Sequence, residues 1–288
     1  MNSLSVLVDS LRAEINSPSG MWPLRNIGVI SCYNTLHIRH VSLFEPCVVV
    51  VLSGRKTIFG LGEPVMCAAN SAIAVPGPAS FDVRNEPDPH TGYYRSLMIS
   101  FPHAHIERMR NAHGIETAGR HGRAGALRFD HDPTLIQAVE HYLRASGSPH
   151  VRDHRLMEIL LILAGKDDRL LSYAFLQEVW SQRVRALLGT DLSLQWELHE
   201  VCDQLATSGS TLRRNLKLEN TNFRELSYEL RLNAALAKLL QTSLPVGRIA
   251  TDVGYRSVSR FTSNFHKRFG LPPTEFRRVN ERKRTELG

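Results

Sequence analysis

Phenylalanine recurs every fourth residue at Phe261, Phe265 and Phe269, and this stripe constrains the chain more than any other feature. Large aromatic side chains at that spacing share one face of an α-helix, and that face has to be buried. Ser257 is placed to cap this helix by accepting from its free N–H groups, and Gly270 to stop it. The opposite face carries Ser259, Arg260, Thr262, Ser263, His266 and Lys267, all capable of hydrogen bonding and several basic. Upstream, Pro245 suits the first turn of a preceding helix. Ile249, Ala250 and Val253 give that helix an inner face, Gly254 ends it, and Tyr255 and Arg256 make the turn. The pattern predicts a helix, a short glycine-containing turn and a polar second helix.

A second copy lies upstream. Leu198, Val201 and Leu205 form an apolar face, Ala206 and Thr207 a turn, and Ser208 an N-cap. Leu212 and Leu216 point inward, while Ser210, Thr211, Arg213 and Arg214 point outward. Between the copies, Phe223, Leu226, Leu230 and Ala237 mark one long helix over Phe223–Leu240. A polar helix of this kind fits the major groove, where base edges present a distinct donor and acceptor pattern. Two such helices on a stiff rod would enter successive groove segments of one duplex if held roughly 34 Å apart.

Charge supports the same reading. Residues 181–288 hold 18 Lys and Arg against 11 Asp and Glu, and the remaining 180 residues balance at 17 against 17. All of the net +7 therefore lies in the C-terminal part, as expected of a neutral domain joined to a polyanion binder. A Ser-capped helix with an aromatic stripe also occurs in ordinary helical bundles. Two motifs, a linker helix and the concentrated charge argue against that simpler architecture.

The rest of the chain reads differently. Cys47–Leu52 is a short β-branched run that predicts a buried strand, and Lys56–Leu61 predicts its hairpin partner after Ser53 and Gly54. Further strands are expected near Ser71–Val75, Phe81–Val83 and Tyr94–Phe101, punctuated by glycine and proline. Many short strands imply a small barrel or sandwich. Helices are expected over Pro133–Leu143, Arg152–Leu163 and Leu170–Leu188, with a flexible connection over Gly114–Gly125. The length and the 42% hydrophobic content suit about two domains. No run of about 18 apolar residues spans a membrane, and the N-terminus lacks a secretory pattern, so the expected location is the cytoplasm. Cys32, Cys47, Cys67 and Cys202 show no CxxC spacing and are expected to be reduced and buried.

The segment Arg248–Arg278, RIATDVGYRSVSRFTSNFHKRFGLPPTEFRR, resembles the signature of the AraC/XylS family of transcription regulators around its second helix-turn-helix. The resemblance extends over about Leu194–Arg278. In the first motif Asp203–Ser208 lacks the family's usual glycine. Trp196, Ser210–Lys217 and the segment NFRELSYELRL are similar to the branch of virulence and acid-resistance regulators. Glu45-Pro46 and Val48–Lys56 look like part of the family's cupin-like sensor domain.

The resemblance implies an α+β multidomain chain. It would comprise a cupin-like β-barrel sensor with helices (1–118), a linker and helical dimerisation region (119–189), and an all-α domain with two helix-turn-helix motifs joined by a linker helix (190–288). It implies a DNA-binding transcription regulator, chiefly an activator, with no cofactor. Its partners would be double-stranded promoter DNA, RNA polymerase, a small-molecule effector in the barrel and a second copy of the chain, with Arg152–Leu163 as the candidate dimer helix. The candidate DNA-binding residues are Ser208, Ser210, Thr211, Arg213 and Arg214 in the first motif. In the second they are Ser257, Val258, Ser259, Arg260, Thr262, Ser263 and Lys267. Val258 has no polar group, so its expected role is apolar contact with a thymine methyl.

Two other classes were weighed: a cupin-type metalloenzyme fused to a DNA-binding domain, and a ligand-free regulator controlled by protein partners. His37-x-x-His40 and His103-x-His105 are the only metal-like spacings, and Glu107 follows His105 too closely for the cupin pattern, so no metal site is expected. Gly60–Pro64 lacks the ending of a phosphate loop, and no nucleophile–base arrangement is readable, so an enzyme is not expected.

Overall fold

A computed structural model of the chain describes residues 3–15, 26–113, 125–145, 148–166 and 180–280. It divides into two compact units, Met1–Phe175 with Arg278–Gly288, and Leu176–Arg277.

The first unit is built on two antiparallel sheets. Its strands are β1 (Ile27–Cys32), β2 (Leu36–Leu43), β3 (Cys47–Ser53), β4 (Arg55–Phe59), β5 (Val65–Ala68), β6 (Ser71–Val75), β7 (Ala79–Glu86), β8 (Tyr94–Ser100) and β9 (Leu127–Asp130). One sheet has the order β1-β8-β3-β6-β9 and the other β2-β7-β4-β5. β3 is buried along its whole length, because it is central in its sheet and covered on both faces. Val48, Val50, Ala72, Ala74, Leu97 and Ile99 turn one face of the five-stranded sheet toward the helices. Those helices are α1 (Ser3–Ile15), α2 (His103–His113), α3 (Pro133–Arg144) and α4 (Pro149–Lys166). The alternating burial of β7, with Phe81, Val83 and Asn85 inside, marks the inner face of the four-stranded sheet.

Three expectations change here. Among the described residues no ladder joins the two sheets, so the strands form a two-sheet sandwich and not a closed barrel. The predicted β3–β4 hairpin does not form, because the two strands lie in different sheets. Gly54 between them adopts φ +78° and swings the chain across. A side chain there would put its Cβ 2.3 Å from the Glu86 carbonyl oxygen. In α4, the apolar stripe Leu156, Ile159, Leu160 and Leu163 is buried within its own unit against the sheet and α3, so that stripe is not a free dimer surface.

The helix at Pro133 starts as its sequence suggests, with the Asp132 side chain accepting from the Leu135 N–H at 3.2 Å. The expected connection over Gly114–Gly125 falls, apart from its last residue, outside the described residues. The histidine pairs turn to carboxylates: His103 meets Glu107 at 3.3 Å and His105 meets Asp153 at 3.1 Å.

The second unit is helical, with α5 (Trp180–Leu188), α6 (Leu198–Gln204), α7 (Gly209–Leu218), α8 (Phe223–Gln241), α9 (Val246–Asp252), α10 (Val258–Phe269) and α11 (Pro273–Asn280). Of the helix expected over Leu170–Leu188, α5 is the observed part, and residues 170–179 lie outside the described residues. Val184, Leu188, Val201, Cys202, Leu212, Leu216 and Leu226 form the core of the first motif. Farther along α8, Leu232, Ala235, Leu236 and Leu239 are buried. No described helix is long and apolar enough to cross a membrane.

Candidate nucleic-acid interface

In both motifs the first helix ends in the same way. The Thr207 N–H donates to the Cys202 carbonyl at 2.9 Å and Ala206 to Asp203 at 3.2 Å. Tyr255 donates to Ala250 at 2.8 Å and Gly254 to Thr251 at 2.9 Å. These paired bonds are the signature of a Schellman stop, whose central residue must be left-handed. Ala206 has φ +48° and Gly254 φ +81°. A serine then opens the next helix. Ser208 Oγ accepts from the Thr211 N–H at 3.1 Å, and Ser257 Oγ from the Arg260 N–H at 3.3 Å.

The caps aim the helices, and the cores decide which faces stay wet. In α10, Phe261, Phe265 and Phe269 are fully buried. Phe265 meets the Phe269 ring at 4.7 Å and the Phe276 ring of α11 at 5.8 Å. Tyr255 of the turn sits edge-on to Phe261 at 5.3 Å. With that stripe inside, Ser257, Val258, Ser259, Arg260, Ser263 and Lys267 are exposed, and Thr262 is half-buried. In α7, Leu212 and Leu216 are buried, Ser208, Ser210, Arg213 and Arg214 are exposed, and Thr211 is half-buried. Ser208 also contacts the hydroxyls of Ser210 and Thr211, each at 2.9 Å, so the cap and the first helical turn share one hydroxyl cluster. Arg213, Arg214, Arg260 and Lys267 make no ion pair among the described residues. Exposed cations without intramolecular partners are what phosphate and guanine recognition require.

The second motif is clamped to α8. Arg268 pairs with Glu229 at 3.2 Å, with both side chains largely buried, and Lys238 pairs with Asp252 at 3.1 Å. The Tyr228 hydroxyl donates to the Asn264 carbonyl at 3.3 Å. The strap before α6 also reaches this motif. Arg231 donates to the Leu194 carbonyl and Gln195 Nε2 to the Gly254 carbonyl, both at 2.8 Å. Burial lowers the Arg231 pKa and raises that of Tyr255, as befits groups held inside a joint. The first motif is tied down through Glu219, whose carboxylate accepts from the Trp180 and Ser181 N–H groups at the start of α5, at 2.7 and 2.9 Å.

Sequence reasoning passed over two further cations. Arg224 and Arg256 are exposed and line a groove of about 660 Å³ between α8 and the second turn, together with Tyr228, Arg231, Tyr255 and Arg260. Arg256 reads locally as a turn residue, and Arg224 as a solvated position on the linker helix. Only the packing of α8 against the second motif brings them together.

A helix-turn-helix domain family matches residues 201–279. The DNA-binding dual transcriptional regulator Rns of Escherichia coli is 36% identical over 97 residues, 34% of this chain and 37% of Rns. The HTH-type transcriptional activator CfaD of E. coli is 30% identical over 129 residues, 43% of this chain and 49% of CfaD. Matches of this kind span 37% to 52% of the curated relatives' lengths. Among solved structures, ToxT from Vibrio cholerae superposes with a TM-score of 0.65 over 89% of this chain and 98% of that one, at 14% identity. The resemblance to ToxT is therefore one of fold. A further ToxT structure holds an unsaturated fatty acid.

Proposed function

We propose, on the premise that the C-terminal unit is a helix-turn-helix domain of the AraC/XylS type, that this chain is a sequence-specific DNA-binding transcription activator. One observation carries the assignment. Two serine-capped helices, each behind a Schellman stop, present unpaired cations and hydroxyls on the face opposite a buried stripe. Ser210, Thr211, Arg213 and Arg214 read one groove segment. Val258, Ser259, Arg260, Thr262, Ser263 and Lys267 read the next, with Ser208 and Ser257 holding the helix starts against the backbone. Arg224 and Arg256 add phosphate contacts between them.

The first unit acts as the sensor and takes a small effector, as the likeness to a fold that holds a fatty acid in ToxT suggests. RNA polymerase and a second copy of the chain are the expected protein partners, and the cytoplasm the expected place of action. No catalytic role is assigned.

Competition binding with promoter fragments tests this. Affinity should exceed that for random duplex and fall steeply with salt, because phosphate contacts release counterions. Arg214→Ala should cost ~1–3 kcal/mol and relax sequence preference if Arg214 contacts a base. Equal affinity for specific and random duplex would overturn the assignment of sequence-specific binding.

A further inference from the structure

At one end of the sandwich the interior is polar where the rest is apolar. Lys56 of β4 is 3% exposed, and its Nζ donates to Asn85 Oδ1 of β7 at 2.8 Å. Its register partners are Asn85 and, on β5, Cys67. Tyr94, at the start of β8, lies 5.7 Å below the ammonium, measured to the ring centroid, and is fully buried. Cys32 pairs with Tyr94 across the β1–β8 ladder. Ser96 follows two residues along the same face of β8.

The cluster has donors in excess. An ammonium offers three N–H groups, and Asn85 Oδ1 takes one. Asn85 Nδ2, the Tyr94 hydroxyl and the Ser96 hydroxyl are buried without a hydrogen-bond partner among the described residues. Buried donors of this kind need an acceptor. No carboxylate answers the charge: the ionisable neighbours of Lys56 are Cys47, Cys32 and Cys67. Burial pushes each of these thiols up to about 12, so they are neutral near pH 7. Burial pulls Lys56 down to about 8, as expected of an ammonium with no counter-ion. Apolar side chains, among them Ile38, Ile58, Val49, Ile73 and Val83, occupy the same interior. The residues next in sequence to Cys32 and Tyr94 line a groove of about 410 Å³ at this end, formed by Tyr33, Asn34, Thr91, Tyr93 and Arg95.

We propose that Lys56, Asn85, Tyr94 and Ser96 anchor the carboxylate of a small, otherwise apolar molecule between the two sheets of the first unit. A carboxylate supplies one negative charge for the one ammonium and up to four acceptor positions for the surplus donors. The apolar body would lie against the aliphatic walls, and the groove beside Tyr33 and Tyr93 is the way in. This rests on the reading that the first unit takes an effector.

The test uses the full chain, calorimetric titration and thermal melts with acetate, octanoate and dodecanoate, each compared with its methyl ester. Octanoate or dodecanoate should bind and raise the melting temperature, with the ester at least ~tenfold weaker, the loss expected for a charge-assisted contact. Lys56→Met keeps the aliphatic stem and removes the charge. It should fold, melt no lower than the parent in the absence of ligand, and bind acid and ester equally weakly. Tyr94→Phe should melt like the parent and bind the acid several-fold more weakly. Equal binding of acid and ester, undiminished binding by Lys56→Met, or no binding by any acid of the series would overturn the proposal. A neutral compound that stabilises the parent and Lys56→Met alike would remove Lys56 as the anchor and leave the effector reading standing.

Discussion

The two helix-turn-helix motifs solve one geometric problem with different residues. Each stops its first helix with the same pair of backbone bonds and opens its second with a serine cap. The left-handed position is Ala206 in the first and Gly254 in the second. The first motif packs leucine and valine around α7, and the second stacks four phenylalanines around α10. Alanine is tolerated at position 206 because the site is exposed and nothing approaches it. Position 254 is buried, its carbonyl accepts from Gln195, and an added Cβ would lie 2.4 Å from the Leu192 carbonyl oxygen. The left-handed turn is common to both motifs, whereas the need for glycine is set by what packs against it.

Substitution at the turn of the second motif should have the largest effect. Gly254→Ala combines the cost of a left-handed non-glycine residue, ~1–2 kcal/mol, with a backbone collision that has no flexible side chain to yield. The second motif should lose its fold and specific DNA binding with it, measured by circular dichroism melts and promoter titration. A variant that melts within about 1 kcal/mol of the parent would remove the close approach as the reason for glycine.

The cores come next. Phe265→Ala should cost ~3–5 kcal/mol and Leu212→Ala ~2–5 kcal/mol, each through the cavity left behind. Phe265 touches two other phenylalanines, on its own helix and on α11, so its loss should propagate into α11. Loss of Leu212 should stay within the first motif. Native-state hydrogen exchange separates these outcomes. Protection lost across both motifs in either variant would show that the motifs do not melt independently.

These contrasts also show where the sequence could be read and where it could not. The aromatic repeat, the serine caps and Gly270 are local signals, so the second motif and its exposed face were legible residue by residue. The β3 run was legible because six consecutive apolar residues, Cys47–Leu52, have no solvated face to hide. The pairing of β3 was misread, because a Ser-Gly turn between two strands looks like a hairpin whether the chain returns along the same sheet or crosses to the other. The N-terminal helix α1 carried no cap that sequence alone could identify. Arg224 and Arg256 went unnoticed because their shared groove depends on the packing of α8 against α9 and α10. Lys56 was hidden for the same reason. In sequence it is a basic residue after a turn, and only the register with Asn85 and Cys67 turns it inward.

On the DNA-reading surface the two motifs differ in polarity, which sets the next effect. Val258 is 48% exposed at the start of α10, where α7 has the glycine of Gly209. Val258→Ala removes two methyl groups from a surface that contacts at most a thymine methyl, so promoter affinity should fall by about 1 kcal/mol with stability nearly unchanged. Arg214→Ala should cost more affinity and more of the salt dependence. If the Val258 variant loses as much as the Arg214 variant, the second helix reads bases more directly than its apolar start suggests.

The smallest effect is also the sharpest check on the comparison. Ala206 holds φ +48° without packing against anything, so its turn bears the left-handed penalty alone. Ala206→Gly removes that penalty, ~1–2 kcal/mol, and adds the extra unfolded-chain entropy of glycine, ~0.5–1 kcal/mol. The two terms oppose, and their difference is a gain of about 0.5 kcal/mol or slightly more in the first motif. DNA affinity should stay constant, since the Ser208 cap and the exposed face of α7 do not depend on the residue at 206. A melt that moves down would mean that Ala206 makes a stabilising contact in the turn. In that case the first motif would, like the second, have its turn residue chosen by its neighbours and not by backbone geometry alone.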